Sequence, residues 1–153
     1  MASIVVLATP LAARDSLGVF SGWGAFRDPQ VPRCYAIAKA EPSSRQRDYD
    51  PYTSIGTWPK RNVRGQVHFR MSRKLASEPR IQVAIGGKRF AMAGGGGDAW
   101  APDKATDAAI VAAMRSAGSM SISATDRAAS NAPSSACCCS RSSTMACSAR
   151  SMR

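Results

Sequence analysis

The chain contains 153 residues, of which 44% are hydrophobic and 20% are charged. This length supports one core plus a tail, and it excludes two domains that each bury a full core. The 21 Lys and Arg exceed the 10 Asp and Glu, so the formal net charge at pH 7 is +11. Twelve Gly and nine Pro indicate frequent turns between short elements, which favours a mainly β fold.

The positive charge would attract nucleic acid, anionic lipid or another polyanion, but charge alone does not choose among them. The basic residues are spread over predicted turns and strands rather than gathered in one arm. We therefore favour a basic, soluble surface with weak attraction for polyanions over a dedicated nucleic-acid-binding protein. The spread residues include Arg61, Arg64, Arg70, Arg73, Lys74 and Arg80.

Residues 1–13, MASIVVLATPLAA, form an apolar stretch that ends in small residues. They resemble the hydrophobic and cleavage regions of a secretory signal peptide, without its positively charged leader. The alternative is a first β-strand over Ser3–Ala8. The stretch is too short to span a bilayer, and we expect no transmembrane segment.

The next part of the chain contains short elements that are separated by proline-containing or polar segments. Val19–Phe26 is a Gly-rich aromatic cluster that stops at a proline. Cys34–Ala40 is predicted to be a strand, and we expect its larger side chains, Tyr35 and Ile37, to face the core. Glu41–Asp50 has no usable period and is predicted to be a loop.

Alternation of apolar and polar residues predicts most of the remaining strands. Tyr52–Trp58 is rich in aromatic and β-branched types, and Val63–Met71 alternates in one phase along its whole length. Ile81–Ile85 and Lys88–Ala93 flank a Gly-Gly pair that suits a tight turn at positive φ. These two segments therefore predict a β-hairpin.

One helical pattern follows a run of four glycines, Gly94–Gly97, which we expect to hold no strand. The helix is predicted over about 104–117, with Asp103 or Thr106 as its cap. Ser119–Thr125 alternates again and is predicted to be a further strand. The expected buried face of the helix consists of Ala109, Ile110, Ala113, Met114 and Ala117.

Together these elements predict a mainly β, antiparallel, sandwich-like domain with one short α-helix, extending over residues 14–127. Residues 128–153 are a mixture of Ser, Ala, Cys and Arg without a usable period, and we expect them to form a disordered tail.

Four of the five cysteines lie in this tail. Cys137, Cys138 and Cys139 are contiguous, which matches neither zinc-ligand spacing nor a relaxed disulfide between neighbours. Cys34 lies in the folded part and is a candidate structural thiol, either buried and free or half of a disulfide in an exported chain. Cys147 is its best separated partner, although no predicted element fixes the position of Cys147.

No set of residues predicts catalysis, a cofactor or a metal site. His68 is the only histidine, and its place in the polar phase of a strand predicts an exposed residue without a metal-binding neighbour. Asp98, Asp103 and Asp107 surround the predicted helix start, where capping and the helix dipole account for them. We therefore expect a non-enzymatic protein.

The one candidate partner surface combines Trp58 with the basic residues Lys60, Arg61 and Arg64. An aromatic ring beside a basic turn can stack on a ligand or bind an anionic group. The alternative is a Trp that is buried at a strand end, with the charges in solvent.

Five segments share a pattern with a known family: GWGAFRD at 22–28, RCYAIA at 33–38, SIGTWPKRNVRGQVHFRMSR at 54–73, IGGKRF at 85–90 and DAWAPDKATDAAIVAAMRSAGSMSISATD at 98–126. They lie within a span of about two thirds of the chain, and none is diagnostic alone. Together they give the chain a resemblance to the invasion-associated locus B family of exported bacterial proteins.

The resemblance implies a periplasmic or secreted β-domain without catalytic machinery, which binds an envelope or host protein or an anionic surface. Both ends depart from the family pattern, so we expect a misassigned start and a frameshift after about Arg127 that replaced the last strand. The alternative is a basic, cytoplasmic nucleic-acid-binding module, should residues 1–13 not be a signal.

Overall fold

The computed structural model describes residues 14–44, 46–75, 77–125 and 139–140. It contains ten strands, one α-helix and a short 3₁₀ helix over Pro59–Arg61. The strands are β1 Asp15–Phe20, β2 Trp23–Asp28, β3 Arg33–Lys39, β4 Tyr52–Trp58, β5 Val63–Arg70, β6 Arg80–Ile85, β7 Lys88–Gly95, β8 Asp98–Trp100, β9 Ser119–Thr125 and β10 Cys139–Ser140, and the helix is α1 Lys104–Ser116.

All strand pairs are antiparallel, and the strand order across the sheet is β1-β2-β3-β4-β5-β8-β7-β6-β9-β10. Three neighbouring pairs, β1–β2, β6–β7 and β7–β8, are joined by two-residue turns that contain glycine, at residues 21–22, 86–87 and 96–97. The prediction of a mainly β, antiparallel domain with one helix is confirmed.

A single buried cluster joins side chains from both halves of the sheet and from the helix. Trp23 and Ala36 come from one half, Ile81 and Ile122 come from the other, and Ile110 comes from α1. Burial of these apolar side chains is the main driving force for this arrangement.

The helix begins at the predicted cap, because the Asp103 side chain accepts a hydrogen bond from the Thr106 backbone N–H at 2.7 Å. Ile110, Ala113 and Met114 are buried as expected. The prediction for Ala109 is wrong, since it is exposed. Asp107 takes a place on the buried face instead.

The orientation of β3 is the reverse of the prediction. Cys34, Ala36 and Ala38 are buried, whereas Tyr35 and Ile37 lie half-buried on the opposite face. Bulkier side chains from the other strands already fill the core, so only small residues fit on the inner side of β3.

The glycine run also departs from the prediction. Gly94 and Gly95 continue β7, and only Gly96 and Gly97 form the turn, with φ of +64° and +112°. The three residues after the turn form β8, which inserts between β5 and β7.

Two further departures from the prediction lie near the start of the described region and within β5. Asp15–Phe20 and Trp23–Asp28 form a hairpin that the sequence did not predict. The single phase predicted for Val63–Met71 is interrupted, because Gly56 pairs with Gln66 but Trp58 pairs with Val63.

The predicted signal peptide or alternative strand within residues 1–13 lies outside the described residues. The same holds for the predicted tail, residues 128–153, apart from the two residues of β10. This strand pairs Cys139 with Met120 and Ser140 with Ser119 along β9. None of the described helices is long and apolar enough to cross a membrane.

Candidate ligand-binding face

The sheet presents one side to the core and a second side, here called the outer face, away from it. Val67 and Phe69 of β5 point into the core, so the alternate residue His68 lies on the outer face. Cross-strand partners share a face, which places Ser54 and Trp100 beside His68. The same register places Tyr52, Arg70 and Asp98 on the outer face.

Six side chains from three strands and one loop meet on this face, and we call them the His68 cluster. The imidazole of His68 lies with its centroid 5.1 Å from the Trp100 ring and 5.6 Å from the Tyr52 ring. Trp100 is 41% exposed, so the cluster is open to solvent. Its members are Tyr49, Tyr52, His68, Arg70, Asp98 and Trp100.

Asp98 is the polar centre of the His68 cluster. Its Oδ1 lies 2.9 Å from Nε2 of His68, and the carboxylate accepts this hydrogen bond from the Nε2–H tautomer. Its Oδ2 accepts a hydrogen bond from Arg70, whose guanidinium carbon lies 3.9 Å from the centroid of the Tyr49 ring. These contacts fix the three polar side chains against the sheet.

His68 is therefore not the exposed residue that the sequence predicted. Its side chain is 18% exposed and is held by Asp98 and by two aromatic neighbours. The strand phase gave the correct face, but the bulky partners on β4 and β8 cover the imidazole.

Backbone contacts bring Tyr49 to this cluster. The N–H groups of Asp48 and Tyr49 donate to the Ser72 carbonyl oxygen at 2.8 and 3.2 Å. The Met71 N–H donates to the Gly97 carbonyl oxygen at 2.7 Å, which holds the glycine turn next to the same loop. A side chain at Gly97 would contact the Tyr49 ring, so the close approach needs glycine.

A second aromatic group lies on the outer face of β2 and β3. The rings of Phe26 and Tyr35 stack with centroids 5.3 Å apart, and the Arg33 guanidinium carbon lies 4.8 Å from the Tyr35 centroid. Arg33 also pairs with Asp28 at 3.3 Å. A hydrogen bond from the Val31 N–H and the Arg33 charge hold the Asp28 pKa below its ordinary value, although burial opposes this.

Trp58 adjoins this second group. Its ring lies directly over Gly56, so a side chain on Gly56 would overlap the indole. Gly56 pairs with Tyr35 in the register, so the indole lies on the same face as Tyr35. Trp58 is half-buried, so its exposure lies between that of a ring on a partner surface and that of a Trp buried at a strand end.

The basic residues predicted to act with Trp58 are all exposed. Lys60 and Arg61 lie in the 3₁₀ helix that follows Trp58, and Arg64 lies near the start of β5. Asn62 ends the 3₁₀ helix in the left-handed conformation at φ +53°, which reverses the chain into β5. The predicted partner surface is thus a compact basic turn beside the outer face.

Cys34 lies on the core side of β3, is 5% exposed and is disulfide-bonded. No other cysteine has a described side chain. The predicted partner, Cys147, lies outside the described residues. The other four cysteines all follow β9 in the sequence.

The three aspartates near the helix have different roles. Asp103 caps α1, and the Thr106 N–H lowers its pKa. Asp107 accepts a hydrogen bond from the buried Val67 N–H at 2.8 Å, and burial raises its pKa. Asp98 belongs to the His68 cluster, so the predicted helix-start role is wrong for Asp98, whereas Asp107 does lie in the first turn of α1.

Sequence reasoning missed the His68 cluster because its members are separated by up to 51 positions, from Tyr49 to Trp100. A usable signal was the polar phase of β5, where His68 and Arg70 alternate with core residues. The sequence of β8 predicts only a segment that leads into the helix, so Asp98 and Trp100 are not expected beside His68. Within the described residues, no group of three or more His, Cys, Asp or Glu could hold a metal ion.

Comparisons with family models, with curated proteins and with solved structures found no match to this chain.

Proposed function

We propose that this chain is a non-enzymatic β-domain that is exported to the periplasm or secreted, and that it binds an envelope or host partner through the outer face of its sheet. The observation that carries the proposal is the outer face itself, where two groups of aromatic rings lie beside cationic side chains. Aromatic and Arg side chains are enriched where proteins bind partners.

The open part of this face favours binding over a purely structural role. Trp100 leaves 41% of its surface in solvent, although burial of an indole would stabilise the fold. Its neighbours are held in place by the Asp98 contacts before any partner arrives. A preorganised surface of this kind loses little side-chain entropy on binding.

Export is supported by the disulfide of Cys34, because disulfides persist in oxidising compartments and are rare in the cytosol. It is also supported by the resemblance to the invasion-associated locus B family, whose members are periplasmic or secreted. The apolar residues 1–13 fit a signal segment that precedes the described domain.

Cell fractionation combined with the intact mass of the mature protein tests the proposal. We expect the protein in the periplasm or medium, cut near Ala13, with Cys34 of the denatured protein resistant to alkylation until a reductant is added. A cytoplasmic protein with a readily alkylated Cys34 would contradict it.

The second candidate is a cytoplasmic nucleic-acid-binding module. The same outer face favours it, since rings beside cations can stack on bases and contact phosphates. Affinity for single strands or duplexes that falls steeply with salt concentration would support this alternative.

A further inference from the structure

We infer that the outer face binds a linear acidic polysaccharide, a partner class that rests on the proposed function. The His68 cluster would bind the sugar rings at one end of the face. The Trp58 turn, consisting of Trp58, Lys60, Arg61 and Arg64, would bind acidic groups at the other.

The His68 cluster offers flat rings for the apolar faces of sugars. Trp100, His68 and Tyr52 lie on three adjacent strands, with ring centroids 5.1 and 5.6 Å apart. The exposed Trp100 indole gives the accessible surface, and its apolar body can bury the C–H groups of a pyranose.

The polar groups beside these rings match hydroxyl chemistry. Asp98 is 26% exposed at its side chain and carries an acceptor, while Arg70 and His68 supply donors around it. Each sugar hydroxyl both donates and accepts hydrogen bonds. A fixed arrangement of donors and acceptors next to a ring can therefore bind several hydroxyls at once.

The Trp58 turn supplies the positive charges that would bind the acidic groups of the polysaccharide. Lys60, Arg61 and Arg64 are exposed, and no acidic residue lies in the first turn of the 3₁₀ helix that contains Lys60 and Arg61. Trp58 lies four residues along β4 from Ser54, which neighbours His68, and β8 lies two strands away from β4. The face is therefore about 16 Å long, from strand rise and spacing, which suits a chain of sugars rather than one.

Two observations favour an acidic polysaccharide over nucleic acid on this face. The Asp98 carboxylate lies among the rings, where it can accept hydrogen bonds from the hydroxyls of a sugar, whereas a phosphodiester group has no donor for it. The disulfide of Cys34 also indicates an oxidising compartment, where acidic polysaccharides of envelopes and host surfaces are accessible.

Titration of the full-length, oxidised protein with heparin and with polygalacturonate at about 0.15 M salt tests the inference. We expect both to bind more tightly than neutral dextran and single-stranded oligo(dT). Trp100→Ala should weaken binding of both roughly fivefold, the typical effect of losing one aromatic contact. Phe20→Ala, at a residue that is 46% exposed on the core side of β1, should leave it unchanged.

Charge variants test the other end of the face. Arg61→Gln should weaken binding and reduce its salt dependence, because one cation beside the face is lost. Arg115→Gln makes the same charge change on the last turn of α1 and should have little effect.

The inference is overturned if Trp100→Ala binds like Phe20→Ala, if dextran binds as well as the acidic polymers, or if oligo(dT) binds more tightly than either. An exported, envelope-bound protein that gives any of these results would leave the proposed function intact. A cytoplasmic protein with reduced thiols would instead contradict the proposed function.

Discussion

Asp28 and Asp107 are both largely buried carboxyl groups, yet their surroundings move their pKa values in opposite directions. Asp28 accepts from the Val31 N–H and lies near Arg33, so its ionised form is favoured. Burial raises the pKa of Asp107 by more than the hydrogen bond from Val67 lowers it, and the negative charge of Asp103 adds to the increase. The backbone hydrogen bond, together with the nearby cation, therefore decides the direction of the Asp28 pKa against the effect of burial.

Asp107→Asn should remove one source of pH dependence from the free energy of unfolding. Because the folded-state pKa of Asp107 is raised, its favourable contribution is complete below the ordinary pKa and is lost as pH rises through the folded value. Asn retains an acceptor for Val67 and does not ionise. The stability of the variant relative to the natural chain should therefore rise between acid and neutral pH, as measured by urea unfolding.

Asp107→Ala is the matching control for the hydrogen bond. It leaves the buried Val67 N–H without its acceptor, so we expect a loss of about 1–3 kcal/mol at all pH values. A relative stability of Asp107→Asn that decreases towards neutral pH would contradict the assigned role of burial.

Gly94→Ala should destabilise the domain by about 1–3 kcal/mol, as overpacking does in a tight site. A Cβ at Gly94 would overlap the Asp98 carbonyl oxygen and lie 2.8 Å from Ala99 Cα, and a backbone neighbour cannot rotate away. Gly95→Ala is the control, since nothing lies within 4 Å of its Cβ. Equal midpoints of urea unfolding for both variants would contradict the close approach of β7 and β8.

Among the elements, the alternation of apolar and polar residues predicted those strands that bury one side along their whole length. This holds for β6 and for β9, where buried apolar residues occupy every second position. It failed for β8, which has three residues, and for β1, whose apolar residues are largely exposed. Such short or unburied strands carry too little periodic signal.

The inner face of β3 and the His68 cluster could not be derived from local sequence. Both faces of β3 carry apolar residues, and only the volume left by other strands selects Cys34, Ala36 and Ala38 for the core. Likewise, His68 and Asp98 meet because β8 inserts beside β5, which is a property of the whole sheet.

At the scale of the whole molecule, the disulfide of Cys34 should contribute about 2–5 kcal/mol to the free energy of unfolding, because a disulfide restricts the unfolded chain. We expect reduction to lower the thermal midpoint, and Cys34→Ala to show the same lower midpoint without reductant.

The control is Cys34→Ala with added reductant, which should cause little further loss. A large additional drop would mean that another disulfide dominates the stability of the chain. A midpoint of the natural chain that does not change on reduction would contradict a stabilising role for Cys34.

The most direct test of the outer face as the binding surface uses envelope preparations from the source cells. The oxidised protein with both Trp58→Ala and Trp100→Ala should lose most of its binding to these envelopes in a sedimentation assay. Phe20→Ala should bind like the natural chain. Full binding by the double variant, with its fold intact by circular dichroism, would contradict the account.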